Sequence, residues 1–305
     1  MNKPLCHYYS WNLTDNKAFI SQIREFIDNG VSNFVITCDL LEQLVNNPDK
    51  VKFLHQVCQD MDVKFNAVHG LCGKGFDINT IDDNERTIML EKHQKAIEIS
   101  SQFGCKNYVL HVGAALYCYD HIPMTILREK ALATLEALLP CAIKNNMVLA
   151  VENSFELPNS AKEVMGLINH FNNHPNIGAC YDSGHANCMA TAPGKSLDKY
   201  ESYFYTCWWE NGIIPEDNAL EIMASQIVTC HLHDNTGYGD LHAMPLDGTI
   251  NWRELVPKLK ALPRLTEYQS EVCMNDGENW AGKLLAPIGG YSIKRLCDTF
   301  KFLGF

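Results

Sequence analysis

Short apolar runs rich in β-branched residues alternate along the chain with longer segments in which apolar residues recur every three or four positions. The first pattern is typical of buried β-strands and the second of amphipathic helices. Eight runs of the first kind are strand candidates, at residues Leu5–Tyr9, Asn33–Cys38, Val63–His69, Asn107–His111, Met147–Glu152, Ile177–Asp182, Ile227–His231 and Thr266–Glu271.

Helical patterns fill the intervals between these runs. Residues 16–30 and 85–104 each carry a helical pattern that ends in glycine, and residues 125–146 carry one that ends in an asparagine pair. Both are common helix terminators. Ser160 precedes another helical pattern and is followed three residues later by Glu163, a capping-box signature. Eight strands that alternate with helices, without a long linker, predict an α/β fold, a closed (β/α)₈ TIM barrel.

The barrel is predicted as a single domain over residues 1–305 with one elaborated segment. Residues 188–226 are longer than one helix requires and contain the aromatic run YFYTCWWENG. A lid over a site, a contact between copies in a homo-oligomer and ordinary packing of aromatic side chains remain open for this segment.

Composition indicates an ordinary globular protein, because 46% of the residues are apolar and 20% are charged. The 13 cysteines are an odd number with no CxxC pair, and several lie inside apolar runs, where a free thiol behaves as a small hydrophobic group. The chain start has no signal-peptide pattern, and no run of about 18 apolar residues predicts a membrane span. We therefore expect a reduced, cytoplasmic protein.

Histidine, aspartate and glutamate close the strand candidates at the barrel end where TIM-barrel chemistry takes place. The third to eighth candidates and the loop after the seventh supply His69, His111, Glu152, Asp182 with His185, His231 with His233, Asp240 with His242, and Glu271. Such groups are costly to bury without partners, and one shared cation satisfies many at once. Imidazole and carboxylate ligands without a thiolate favour Zn²⁺ or Mn²⁺.

Each residue also has a simpler interpretation when taken alone. Asp182 is placed to cap a helix that starts at DSGHAN, and Asp240 follows a glycine in a turn-rich stretch. His231 and His233 lie two residues apart on one strand face, so we expect one to be a ligand and the other to orient it or to contact substrate. The coincidence of six successive strand ends favours the metal site.

The motifs VHG, LHVG, VEN, YDSGH, HLHDN, DxH followed by PLDGTINW, and SEV together resemble those of the xylose isomerase-like TIM-barrel superfamily. That superfamily contains sugar isomerases and epimerases and the endonuclease IV type of DNA-repair enzyme. The resemblance implies one barrel metal held by Glu152, Asp182, His231 and Glu271. The endonuclease-like branch implies two further metals, held with the help of His69, His111, His185, Asp240 and His242. We therefore expect one to three divalent metal ions per chain.

The distribution of positive charge favours a neutral substrate. The formal net charge is −11, and no lysine or arginine occurs in residues 107–127, 147–161, 177–194, 227–252 or 265–282. Lys74 is the exception near this face. Nucleic acids require several cationic contacts, and sugar phosphates usually require an Arg or Lys clamp, so nucleic acid is not expected as a partner. Hydroxyl and ring contacts are available from Asn153, Ser154, Tyr181, Asn187, Trp209, Asn235 and Trp280.

The leading hypothesis is a divalent-metal-dependent isomerase or epimerase of a small neutral sugar or polyol ketone. In this hypothesis the metal stabilises an enediolate while Glu152 and Glu271 exchange the α-proton, and His185 assists catalysis. The expected substrate-binding residues are His69, His111, His233, His242 and Asn153.

Two alternatives remain. One is an endonuclease IV-like phosphoesterase with three zinc ions. The other is a sugar-binding or scaffold barrel without catalysis. Better-known ketose epimerases carry a second glutamate two positions past an arginine after the fifth-strand ligand. VENSFELP instead places Glu156 four residues after Glu152 with no arginine, so ketohexose epimerisation in particular is not expected.

Overall fold

The computed structural model describes residues 3–191, 215–274 and 290–305. Within these ranges all eight strand candidates form strands, and the predicted bounds are right to within two residues. The strands are β1 Leu5–His7, β2 Asn33–Ile36, β3 Lys64–Val68, β4 Asn107–Leu110, β5 Val148–Glu152, β6 Ile177–Asp182, β7 Ile227–Leu232 and β8 Tyr268–Ser270.

The strands are parallel and follow one another around a ring in the order β3-β2-β1-β8-β7-β6-β5-β4. The ring closes between β3 and β4 at a single parallel bridge between His69 and Val109. There the Gly70 N–H donates to the Val109 carbonyl at 3.1 Å. A Cβ on Gly70 would lie 2.1 Å from that carbonyl oxygen, so the closure requires glycine. The predicted closed barrel is confirmed.

Helices surround the strands in the alternation that the sequence predicts. They are α1 Asn16–Asp28, α2 Cys38–Asn46, α3 Pro48–Met61, α4 Asp83–Gln102, α5 Ala115–Cys118, α6 Met124–Lys144, α7 Ala161–His170, α8 Ser183–Met189, α9 Ala219–Met223, α10 Trp252–Lys260 and α11 Ile293–Phe302. The predicted cap is present, because the Ser160 hydroxyl accepts from the Glu163 N–H at 3.4 Å. No helix in the described ranges is long and apolar enough to cross a membrane.

The interior of the barrel changes character along its axis. At the amino end of the strands, a polar cluster replaces the usual aliphatic layer: Gln269 Nε2 donates to Thr229 Oγ1 at 3.1 Å and to Glu267 Oε1 at 3.4 Å. All three side chains are buried. The carboxyl end carries the histidines and carboxylates described below. Between barrel and helices lies the apolar core, which includes Trp11 edge-on to Phe34.

The predicted elaboration at residues 188–226 is only partly described. The run YFYTCWWENG with Trp209 lies outside the described residues, and so does Trp280. The ends of the segment contain the last residues of α8 and the short helix α9.

Candidate metal centre

The predicted site residues gather around one cavity of about 400 Å³ at the carboxyl end of the barrel. Its lining includes His69, His111, Glu152, His185, Asp240, His242 and Glu271. Asp182, His231 and His233 are fully buried against these residues. All of the metal ligands expected from the sequence therefore come together, from strands that are far apart in the chain.

The first ligand group is Glu152, Asp182, His231 and Glu271, whose ligand atoms all lie within 4.8 Å of one another. His231 Nδ1 lies 3.1 Å from Glu152 Oε1 and 3.0 Å from Glu271 Oε2. Three buried carboxylates converge here, and the described residues that line the cavity include no lysine or arginine. This donor set fits a divalent cation, which would neutralise the carboxylates and take up the lone pair of the imidazole.

The charges of the first group are strongly coupled. Burial raises the pKa of Glu152, but His231 and His111 lower it more, and the result lies well below the usual range. Glu271 follows the same pattern: burial opposes ionisation, His231 favours it, and the pKa falls below its ordinary value. Both carboxylates are therefore ionised at neutral pH, which is the form that a metal ligand or a general base requires.

A second group, His69, His111 and Glu152, also has its ligand atoms within 4.8 Å. Glu152 Oε2 lies 3.0 Å from His111 Nε2 and 3.8 Å from His69 Nε2. Burial lowers the pKa of His111, but Glu152 raises it more, to about 9. Burial and the neighbouring His111 lower the pKa of His69 to about 4. Glu152 thus faces the first group with one oxygen and the second with the other.

The third group is His185, His233, Asp240 and His242, with ligand atoms within 4.8 Å. Asp240 Oδ2 lies 3.0 Å from His242 Nε2 and 3.4 Å from His185 Nε2. His233 Nε2 lies 3.0 Å from Asp182 Oδ2, which connects this group to the first. Burial lowers the pKa of His242, but Asp240 raises it more, to about 10.

Backbone carbonyls orient three of the histidines. The Nδ1 atoms of His69, His185 and His242 lie 2.9, 2.9 and 2.8 Å from the carbonyl oxygens of Gly70, Asn153 and Glu271. A carbonyl only accepts, so each Nδ1 carries the proton. In the neutral ring Nε2 then presents its lone pair, which is the arrangement that metal-binding histidines usually have.

Asn153 does not direct its amide into the cavity as a substrate contact would. Its Oδ1 accepts from the Asp182 N–H at 2.9 Å, and its Nδ2 donates to the Asp182 carbonyl at 3.2 Å. The side chain therefore ties the end of β5 to the end of β6. Asp182 in turn accepts from the His185 N–H at 2.6 Å, so it caps α8 as well as joining the ligand group.

Of the other polar residues that the sequence suggested as substrate contacts, some line the cavity and others do not. Ser154 lines the cavity. Asn187 Nδ2 donates to Asn235 Oδ1 at 2.8 Å, and Tyr181 is buried. Asn187, Asn235 and Tyr181 are not among the described residues that line the cavity.

Several cavity residues have no signal in the strand-end pattern. Tyr8 follows β1, and Cys72 and Asp77 lie in the loop after β3. Burial raises the pKa of Asp77 to about 6. Glu156, noted in the sequence only as a departure from the ketose epimerases, also lines the cavity, and burial raises its pKa. Loop residues of this kind become visible as neighbours of the site only when the path of the loop is known.

Fold and site together define a TIM barrel whose strand ends converge on imidazole and carboxylate groups. The chain belongs to the xylose isomerase-like TIM-barrel family, whose family model matches residues 34–283.

Two curated relatives are distant. The uncharacterized protein MJ1311 of Methanocaldococcus jannaschii is 23% identical over 255 residues, 81% of this chain and 76% of the relative. The uncharacterized protein y4fM of Sinorhizobium fredii is 24% identical over 196 residues, 63% of this chain. That match spans only 55% of the length of y4fM.

Solved structures share the fold at low identity. A 3-keto-D-glucoside 4-epimerase, YcjR from E. coli, has a TM-score of 0.68 at 15% identity, covering 99% of both chains. An L-ribulose 3-epimerase has a TM-score of 0.69 at 15% identity, covering 100% of this chain and 94% of that one. The IOLI protein with a bound zinc atom has a TM-score of 0.67 at 16% identity, covering 98% and 96%.

Proposed function

We propose that this protein is a divalent-metal-dependent isomerase or epimerase of a small neutral sugar or polyol ketone. One observation carries the proposal: the ligand atoms of Glu152, Asp182, His231 and Glu271 lie within 4.8 Å of one another. They lie at a cavity whose described lining residues include no lysine or arginine. The fold is shared with proteins named as sugar epimerases, which supports the reaction class.

The first ligand group would hold the cation, with Zn²⁺ or Mn²⁺ favoured by donors that include no thiolate. Bound there, a divalent ion supplies Lewis-acid stabilisation of negative charge that develops on substrate oxygens. The IOLI structure contains zinc in the same fold, which is consistent with this choice.

Glu152 and Glu271 are the proposed proton-transfer residues. Both lie within 3.1 Å of His231 Nδ1, and neighbouring histidines hold both pKa values below the ordinary range. One carboxylate removes the proton from the carbon next to the substrate carbonyl, and the other takes up a proton from solvent and delivers it to the substrate. Return to the opposite face of the carbon inverts its configuration, and return to the neighbouring carbon gives an isomer.

The remaining cavity residues are proposed to hold the substrate. His185 and His242 direct Nε2 toward Asp240 and the cavity and can donate to or accept from substrate oxygens. His69, His111 and Ser154 extend the polar lining. A polyol offers hydroxyl groups that both donate and accept, which suits this wall of imidazoles and carboxylates better than an anionic phosphate does.

The proposal is tested by solvent deuterium incorporation. The Mn²⁺-loaded protein is incubated in D₂O with a panel of ketoses and inososes, and mass spectrometry measures deuterium at carbon. We expect incorporation into at least one compound and a loss of roughly 100-fold or more in the Glu271→Gln variant. Glu267→Gln is the matched control, because Glu267 is a buried glutamate directly before β8, whereas Glu271 directly follows β8. Glu267 is not among the described residues that line the cavity.

Metal content is measured on both variants, which separates loss of proton transfer from loss of the ion. The proposal is contradicted if no compound of the panel incorporates deuterium. It is also contradicted if Glu271→Gln incorporates deuterium at the wild-type rate.

A trinuclear zinc phosphoesterase is the second candidate, and a specific observation favours it. The His69 group and the His185 group flank the first ligand group, and Glu152 belongs to two of the three. Elemental analysis that finds three zinc ions per chain, together with hydrolysis of bis(p-nitrophenyl) phosphate, would reverse the order of the two candidates. The cytoplasmic location and a homo-oligomeric state stay predictions.

A further inference from the structure

Two cysteines lie side by side at the rim of the cavity. Cys38 is the first residue of α2, two residues after the end of β2, and Cys72 lies in the loop that follows β3. Cys38 Sγ lies 3.3 Å from the Cys72 N–H nitrogen and 3.9 Å from the Cys72 carbonyl oxygen. The residues are 34 positions apart in the sequence, so the fold alone brings the two cysteines together.

Small solutes can reach this pair. Both cysteines are partly exposed, and Cys72 lines the cavity of about 400 Å³. Cys6, Cys105 and Cys180, by contrast, are buried in the barrel. The Cys38–Cys72 pair therefore combines two features that oxidation requires: a second thiol within reach and access from solvent.

The surroundings make Cys38 the more reactive of the two. Its sulfur accepts the Cys72 N–H at the amino end of α2, where the helix dipole favours negative charge. The thiol of Cys72 lowers the pKa of Cys38, which burial alone would raise. The pKa of Cys72 is well above the ordinary value, because Cys38 and burial both oppose its ionisation. Cys38 is thus the nucleophile, and Cys72 remains a protonated thiol until it reacts with the oxidised sulfur of Cys38.

We propose that Cys38 and Cys72 are a peroxide-sensitive dithiol that closes to a disulfide at the cavity rim. The Cys38 thiolate attacks one oxygen of hydrogen peroxide, an S–O bond forms, the O–O bond breaks, and hydroxide leaves as water after taking a proton. Cys72 sulfur then attacks the sulfenic sulfur of Cys38, the S–S bond forms, and the S–O bond breaks. The second water carries away the Cys72 proton. In total, two thiols and one peroxide give one disulfide and two waters.

The disulfide would join α2 to the loop that carries Asp77 into the cavity. It would therefore fix one wall of the site without using any of the metal-ligand candidates. This inference does not rest on the proposed function, because neither thiol belongs to a ligand group and no assay of it requires turnover.

The test is oxidation of the purified full chain with one equivalent of hydrogen peroxide. The sample is quenched with an alkylating reagent, digested without reductant and examined by mass spectrometry. We expect a cross-linked peptide pair that contains Cys38 and Cys72, two hydrogen atoms lighter than the separate peptides, which a thiol reductant reverses. In Cys72→Ser, the sulfenic acid has no resolving thiol, so dimedone labels Cys38.

Cys141→Ser is the matched control. Cys141 is another partly exposed thiol, on α6, with its sulfur 3.7 Å from the Gln94 carbonyl. This variant is expected to form the cross-link at the wild-type rate. In the wild-type protein the cross-link should form at least about tenfold faster than peroxide modifies Cys141. Oxidation of other thiols without the Cys38–Cys72 cross-link contradicts the proposal, as does a cross-link no faster than Cys141 modification. Both outcomes are read on the wild-type chain, whatever the folding of the variants.

Discussion

Glu152 Oε1 lies 3.1 Å from His231 Nδ1, and both side chains are buried. The two residues belong to β5 and β7, which are separated in the ring by β6, so the contact spans the mouth of the barrel rather than following one ladder. The other oxygen of Glu152 lies 3.0 Å from His111 on β4's carboxyl end. Glu152 is therefore the residue that couples the first and second ligand groups.

Because of this position, we expect Glu152→Gln to decrease metal affinity more than the substitution of any residue that only orients a ligand. The amide keeps the shape of the side chain but removes the negative charge that two groups share. Loss of an orienting residue typically costs about 10–100-fold in metal affinity, and we expect a larger loss here. Competition with a chromophoric zinc chelator measures the affinity.

Glu156→Gln is the control for this variant. Glu156 lines the same cavity four residues later but belongs to none of the three ligand groups. Equal zinc affinity in Glu152→Gln and the wild-type protein would show that the ligand groups do not act as a metal centre.

Asn153 is predicted to position Asp182 rather than to contact substrate. Its amide makes two hydrogen bonds to the backbone of Asp182, at 2.9 and 3.2 Å. In Asn153→Ala, we expect metal affinity to fall about 10–100-fold. The KM of the metal-saturated protein should change little. A raised KM with unchanged metal affinity would instead restore Asn153 to the substrate-binding role that the sequence suggested.

The difference between Asp182 and Asn153 illustrates what the sequence could predict. Eight apolar runs and the polar residues that end them predict the barrel and the ligand groups, because the carboxyl ends of parallel strands must meet. The role of Asn153 depends on which hydrogen bond an amide makes, and that is decided by the register of β5 against β6. Asp77 and Cys72 lie in a loop whose path has no periodicity, so nothing in the sequence predicted that they line the cavity.

Barrel closure predicts a sharp difference between two glycine-to-alanine substitutions. A Cβ on Gly70 would lie 2.1 Å from the Val109 carbonyl oxygen and 2.8 Å from the Tyr108 ring, where β3 meets β4. We expect Gly70→Ala to lower the free energy of unfolding by about 1–3 kcal/mol, as overpacking usually does. Urea denaturation measures the change.

Gly166→Ala is the paired control, since a Cβ on Gly166 in α7 meets nothing within 4 Å. An alanine in a helix interior is favoured over glycine, so this variant should gain about 0.5–1 kcal/mol. If both variants unfold at the same urea concentration, the closure at Gly70 is not tight.

Glu267 predicts a pH dependence of stability that is separate from the metal centre. The side chain is buried, and burial raises its pKa from 4.5 to about 7 against the opposing hydrogen bonds of Asn107, Thr229 and Gln269. Between these two values the folded protein keeps the proton and the unfolded chain releases it. The contribution of this group to the free energy of unfolding therefore decreases as the pH rises from about 4.5 to about 7, and it is constant above. The decrease is on the order of 3 kcal/mol.

Glu267→Gln removes this titration while keeping a side chain of the same shape with an acceptor and a donor. The free energy of unfolding of the variant minus that of the wild-type protein should therefore be larger at pH 8 than at pH 5. Urea denaturation of both proteins at both pH values measures this difference. Glu254→Gln, at an exposed position on α10, controls for the loss of one negative charge and should show no such gain. Because other carboxyl groups titrate identically in variant and wild type, only the difference between the two proteins reports on Glu267. A difference that stays constant from pH 5 to pH 8 would mean that the buried carboxyl is ionised in the folded barrel.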